Sequence, residues 1–481
     1  ARDAAGAEHL RVNVRSTPAL RADLPFARVA LVLPGGGALG AYEVGVLKVL
    51  EAVRLVPSLI AGVSIGAINA VAWLVAGYDV RPIEQVWRTA RGETVGVQWV
   101  SLVLRVTGAL TAMISALELL LTVTGSRELS GAYWLWRRTS VDEDLLSTQL
   151  DLAFWIVLAL AGALMALYAR RVASDLNRRS AGVDPVRARR RLRNVALGAA
   201  AVHAVVWLTG WPWPHRFSAS LVLLLGFAWL ASAPGHVGRW LRNLALGLMP
   251  ETGGRGLWSG RARRQILERL VAGGDPTRIA GPGTALVVSA LGVESGRIGH
   301  FVSWPDPDPH FVARLEQELG EVLPVSGPDE MVAAAVASSA IPGVFQPERV
   351  AGRDFVDAGG FSNQPLHVAI AHGAEAVLVV LLSPSESPAS APPPADLVSL
   401  GGRLLELANW RDLQTELRHL PEGWSREGHP ARVCVVEPQE PLPASLLGFD
   451  PAHAAALIEL GERDAWAALG RAGWLAGAPQ P

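Results

Sequence analysis

Cysteine, lysine and charge are what this chain has least of. One of its 481 residues is cysteine, Cys434, and one is lysine, Lys48. A lone cysteine excludes an internal disulfide and any cysteine-based metal cluster, and it fits a reducing compartment. With one lysine, arginine carries nearly all the positive charge, a compositional bias with no chemistry of its own. Charged residues make up 18% of the chain and the formal net charge is −1. No basic excess exists to meet nucleic-acid phosphates, so no such partner is expected. An apolar signal core is also missing: Ala1 to Phe26 is polar with several arginines, and residues 1–27 read as a flexible lead-in.

What the chain has in quantity is apolar side chain, half of all residues. At this length two or more domains are expected. The stretch from Arg28 to Ala70 organises the rest. Val29 to Leu33 reads as a strand ended by Pro34; Gly35, Gly36 and Gly37 form a loop; Val46, Leu47, Leu50 and Val53 share one side of a helix. Leu59 to Val63 is a second strand, and it enters Gly62-Val63-Ser64-Ile65-Gly66 before helix formers resume. Gly-x-Ser-x-Gly at a strand-to-helix junction is a nucleophile elbow, in which Gly62 and Gly66 remove side chains that would collide around a strained serine. Ser64 is therefore the candidate nucleophile for acyl transfer; its plain structural alternative is a helix N-cap. The Gly35, Gly36 and Gly37 N–H groups suit a developing oxyanion. Gly35-x-Gly37-x-x-Gly40 also satisfies a dinucleotide pattern, but no acid lies from Ala52 to Tyr78 to hold a ribose, which argues against a nucleotide cofactor.

Residues 28–95 make the first α/β portion, with a helix around Ile83 to Arg91. From 96 to 250 the composition turns apolar in four segments, Val106–Thr124, Leu152–Ala169, Val195–Trp213 and Phe217–Ala233. Each approaches the roughly 20 residues of a bilayer crossing, so a four-helix transmembrane insert is expected, with buried core helices or a lid as the alternative. Between the second and third segments, residues 170–194 carry nine arginines against Asp175 and Asp184. The positive-inside rule makes that loop cytoplasmic and places both flanks of the insert at the cytoplasmic face of the inner membrane.

Alternating α/β character returns over 251–481. Helices are expected at Ala262–Val271 and Met331–Ala337, strands at Thr284–Leu291, Arg353–Val356, Ala376–Leu382 and Val433–Val436, and one or two helices over Pro451–Leu475. Ser383 to Asp396 reads as a linker or surface loop. No histidine downstream of the insert sits in a context that marks a third triad member. Asp357 stands out instead, at the end of a short strand and before Ala358-Gly359-Gly360; as a bland alternative it is a turn aspartate bonding its own backbone.

Together, Gly35-Gly36-Gly37-Ala38-Leu39-Gly40, Gly62-Val63-Ser64-Ile65-Gly66, Ala337-Ser338-Ser339-Ala340-Ile341-Pro342 and Asp357-Ala358-Gly359 with Asn363 and Pro365 resemble the patatin-like phospholipase family, bacterial branch. The resemblance covers roughly 28–95 and 256–382. It implies a three-layer α/β/α fold, a Ser64–Asp357 dyad, an oxyanion hole at the glycine loop, and lipid acyl-ester hydrolysis without metal or cofactor. Leu39 stands where the family often has a basic residue and Ala358 where it usually has glycine; alanine fits at 358 if its φ is negative. An inactive membrane-anchored lipid-binding or regulatory scaffold is the alternative reading.

Overall fold

The computed structural model describes residues 24–124, 255–385 and 397–475 apart from 419, 425, 427–429 and 443–445, together with 152–153, 155–168 and a few helical positions between 193 and 205. The chain divides into two compact units, an α/β unit of Ala1–Val97 with Trp258–Pro481 and a helical unit of Gln98–Leu257.

The elements run β1 (Val29–Leu33), α1 (Ala41–Ala52), β2 (Leu59–Val63), α2 (Ile65–Val75), α3 (Arg81–Thr89), α4 (Trp99–Val123), β3 (Gly256–Trp258), α5 (Arg261–Gly273), β4 (Ala285–Gly292), β5 (Ile298–Val302), α6 (Pro309–Gln317), β6 (Gly320–Pro324), α7 (Pro328–Ser338), β7 (Gly343–Phe345), β8 (Glu348–Val350), β9 (Arg353–Asp357), α8 (Leu366–Ala371), β10 (Ala376–Val380), α9 (Leu397–Arg418), β11 (Val433–Val436) and α10 (Pro451–Arg471). The main sheet has the order β11-β10-β1-β2-β4-β5-β6. Its central strands are parallel and wholly buried, which explains why β1, β2 and β10 read as unbroken apolar runs and not as alternating ones.

Successive side chains of these strands serve two cores. Leu31, Leu33, Ile60, Leu378 and Val380 point into one, against α1, α2, α7 and α10; Ala30, Val32, Leu59, Ala61, Val377 and Val379 point into the other, against Phe311, Leu315, Leu366 and Leu413. Helices therefore cover both faces, an α/β/α sandwich. Burial of each of these leucines contributes on the order of 1.5–3 kcal/mol. α1 crosses α10 at two glycines: a Cβ on Gly45 would lie 2.0 Å from the Ile458 carbonyl oxygen, and one on Gly461 2.0 Å from that of Tyr42.

The decisive step in the topology occurs on β4. Its first half pairs in parallel with β2, ending at Val63 opposite Ser289. One residue further on, Ala290 pairs with Asp357 of β9, which runs antiparallel. Strand β9 thus takes over the edge of β4 where β2 stops.

In the helical unit, α4 crosses the helical residues 155–168 at small side chains: a Cβ on Gly108 would lie 2.6 Å from the Gly162 carbonyl oxygen, and one on Gly162 2.6 Å from the Ala112 nitrogen. Among the described residues no helix is long and apolar enough to cross a membrane, so the expected transmembrane segments find no support among them. The first expected segment coincides with α4 up to Val123, and α4 also carries Arg105, Glu118 and several serines and threonines; a charge at mid-bilayer costs about 2.5–3.5 kcal/mol. The second is helical at 152–153 and 155–168, as far as its residues are described. The third is described only in pieces. The fourth, the arginine-rich loop up to 192 and most of the 383–396 linker lie outside the described residues, as does the lead-in up to residue 23.

Candidate active site

Ser64 sits between β2 and α2 with φ 54° and ψ −120°, a backbone conformation rare for a residue with a Cβ. The flanking glycines explain how the turn closes. A Cβ on Gly62 would lie 2.8 Å from Ala67 backbone, and one on Gly66 2.4 Å from the Leu33 carbonyl oxygen. Although Ser64 occupies the N-cap position of α2, its side chain makes no capping bond. Its hydroxyl donates instead to Asp357 Oδ2 at 2.5 Å, across 293 residues of sequence. Both residues are buried, 4% and 7% exposed, so the contact is shielded from bulk water.

Asp357 fills the turn role as well: its Oδ1 accepts the Gly359 N–H at 2.8 Å. Two separate oxygens thus serve the turn and the serine. Ala358 is fully buried and is absent from the residues with positive φ, so alanine fits there without strain. Burial raises the Asp357 carboxyl to about 6, against the opposing pull of the Ser64 hydroxyl, the Gly359 N–H and Arg263. A carboxyl in that range is ionised at neutral pH yet a far better base than an exposed aspartate.

Arg263 itself is 8% exposed, with its guanidinium 3.4 Å above the Phe345 ring centroid and no hydrogen-bond partner for its three nitrogens among the described residues. Burial pulls it down to about 10, while Glu348 and Asp357 favour its charge.

The glycine loop lies against this pair. A Cβ on Gly35 would meet Asn363 Oδ1 at 2.7 Å and Ser64 Cβ at 2.9 Å, so only glycine fits. The Gly35 N–H is already given to Asn363 Oδ1 at 2.8 Å, and the Ala38 N–H to the Leu446 carbonyl. Between them, the N–H groups of Gly36 and Gly37 have no acceptor among the described residues, so both are available as donors. Gly37 takes φ +55°, with the Leu446 carbonyl oxygen 2.1 Å from where a Cβ would stand. Leu39 is partly buried and packs on the core, so it supplies no charge.

One supporting group has no role legible in the sequence. Ser338, at the end of α7, accepts the Ser64 N–H at 2.7 Å and donates to the Ser289 carbonyl at 2.6 Å, tying the elbow to β4. It lies in the Ala337–Pro342 motif, but nothing local marks its partner. The histidines do not bond to the pair: buried His300 bonds Ser289 and is pushed down to about 3 by burial and by His367, and the half-buried His367 pairs with Glu416 at 2.5 Å. Among the described residues no group of His, Cys, Asp or Glu is arranged to hold a metal ion.

A serine on a strained strand-to-helix turn, a buried carboxylate on its hydroxyl and two main-chain donors without an acceptor among the described residues form an arrangement able to carry nucleophilic acyl transfer, on an α/β/α sandwich. The family model of the patatin-like phospholipases matches residues 31–370, and the chain belongs to that family, whose members are lipid acyl hydrolases. Among solved structures it is similar to VipD from Legionella pneumophila, at 12% identity and a TM-score of 0.33 over 94% of this chain and 70% of that one. No curated protein matches it.

Proposed function

We propose that this chain hydrolyses acyl esters of membrane lipids, phospholipids foremost, through a Ser64–Asp357 dyad. The single observation that carries the reading is the 2.5 Å bond from the Ser64 hydroxyl to the Asp357 carboxylate. In the first half-reaction Ser64 Oγ attacks the ester carbonyl carbon and its proton passes to Asp357. The carbonyl oxygen becomes an oxyanion beside the Gly36 and Gly37 N–H groups. Collapse of the tetrahedral adduct expels the alcohol, which takes the proton back from Asp357, and leaves an acyl-serine. Water, deprotonated by the same carboxylate, then attacks the acyl carbon; the fatty acid leaves and Ser64 Oγ takes the proton back from Asp357. Each preorganised donor to the oxyanion contributes on the order of 10²–10³ in rate. Ser64→Ala and Asp357→Asn are each expected to abolish turnover of a short-chain ester, and Ser64→Ala to abolish labelling by a fluorophosphonate. Near wild-type turnover in either variant removes the mechanism. A folded wild-type protein that takes no label supports an inactive lipid-binding scaffold.

The helical unit is read as the part that meets lipid. Met113, Ile114, Leu117 and Leu120 of α4 and Leu160, Leu164 and Leu167 of residues 155–168 are exposed, an arrangement that water disfavours and acyl chains accept. The arginine excess of 170–194 favours an anionic, cytoplasmic leaflet as the surface it meets. Binding of the full chain to anionic lipid vesicles is the expected result; a folded protein that stays unbound overturns this reading.

A further inference from the structure

Gly35 poses a problem for the site it belongs to. The loop that presents Gly36 and Gly37 has no side chain of its own at position 35 with which to hold its place, because none fits there. The restraint comes from 328 residues away. The Gly35 N–H donates to Asn363 Oδ1 at 2.8 Å, and Asn363 Nδ2 donates to the Gly35 carbonyl at 3.2 Å. One carboxamide thereby pairs with both polar groups of one residue, as a neighbouring strand would. The same Oδ1 faces the aspartate turn: a Cβ on Gly359 would stand 3.0 Å from it and 3.0 Å from Asp357 Oδ1.

Asn363 is in turn held from behind. Its own N–H donates to Asp412 Oδ2 at 2.9 Å, and four residues on, the His367 N–H donates to Glu416 Oε2 at 2.9 Å. Asp412 and Glu416 lie one turn apart on α9, so that helix grips the 363–367 segment at two points. Asn363 is 3% exposed, and water does not compete for these bonds.

We propose that Asn363 is a positioning residue for ester hydrolysis: it fixes the Gly36 and Gly37 donors over Ser64 in register with the Asp357 turn, and Asp412 anchors it to α9. The proposal rests on the reading of Ser64 as nucleophile. Oxyanion donors must lie about 2.7–3.1 Å from the oxygen that becomes charged. A displacement of about 1 Å costs on the order of 10²-fold in rate. The first peptide before those donors is the one Asn363 holds. Its loss lets the loop drift without removing a group that touches substrate.

The test compares the full chain with Asn363→Ala and Asn363→Asp, measuring kcat and KM for a short-chain ester and hydrogen exchange over residues 34–40. Asn363→Ala is expected to lower kcat on the order of 10²-fold with little change in KM. Residues 34–40 should lose protection while 59–75 keep theirs. Asn363→Asp retains the acceptor for the Gly35 N–H but cannot donate to its carbonyl, so its loop protection should fall between the other two. Unchanged kcat, or unchanged protection of 34–40, in Asn363→Ala overturns the proposal. If the alanine variant does not fold, wild-type protection of 34–40 in the aspartate variant overturns it instead. A wild-type protein that hydrolyses no ester removes the dyad reading, and the exchange comparison alone then decides whether Asn363 holds the loop.

Discussion

Replacing Ser338 by alanine tests how the elbow is kept in its strained shape. Ser338 is fully buried, and its hydroxyl takes the Ser64 N–H and gives its own proton to the Ser289 carbonyl. Alanine leaves both groups unsatisfied in a place without water. Each such orphan costs about 1–3 kcal/mol, so a loss of about 2–6 kcal/mol is expected, less any relaxation. The backbone strain at Ser64 is itself worth about 1–3 kcal/mol. Restraint and strain are thus of similar size, and removing the restraint lets the turn relax away from φ 54°. Thermal melting should fall by about 4 °C or more. In the same sample kcat for a short ester should drop at least about tenfold, a barrier increase of about 1.4 kcal/mol. A variant that melts lower yet keeps wild-type kcat shows Ser338 to be ordinary packing and refutes its role at the elbow.

The acid limb of the pH–rate profile should inflect near 6, because Asp357 accepts a proton only when ionised; about nine-tenths of it is ionised at pH 7, and the rate falls as pH drops through 6. Arg263→Met removes the positive charge that favours the Asp357 carboxylate, so the limb should move to higher pH; an unmoved limb assigns it to another group. Gly461→Ala should destabilise severely, with a Cβ driven to 2.0 Å from the Tyr42 carbonyl oxygen, whereas Gly470→Ala, with nothing within 4 Å, should gain about 0.5–1 kcal/mol of helix stability by denaturant titration. Equal melting of the two would mean that α1 and α10 do not cross at Gly45 and Gly461.

The parts legible in the sequence are the local ones. Strand, glycine loop, helix and elbow over 28–70 are specified by residues close to one another in the chain, and β1 and β2 appear with the ends read from their apolar runs. Asp357 was visible through its turn, Asp-Ala-Gly-Gly. The terminal region, open between one helix and two, is a single helix, α10. Strand β6 leaves no sequence signal because Glu321 and its neighbours are only half-buried, giving neither an apolar run nor a clean alternation. Helix α9 follows a proline-rich stretch that hides it in the sequence, and Asp412 and Glu416 with it. Asn363 was seen as part of a motif, but its bond to Gly35 joins groups 328 residues apart and leaves no local trace.

The handover of one sheet edge from β2 to β9 makes chemistry and assembly a single event. The proposed nucleophile lies at the tip of one strand and its proposed base at the tip of another, and a common neighbour, β4, brings the tips together. A nascent chain therefore carries a harmless serine until almost three hundred more residues have been made. A slip of one residue in β9 would turn the carboxylate to the opposite face. Appearance of hydrolysis during refolding would accordingly report the locking of that late strand, giving a built-in chemical clock for completion of the sheet.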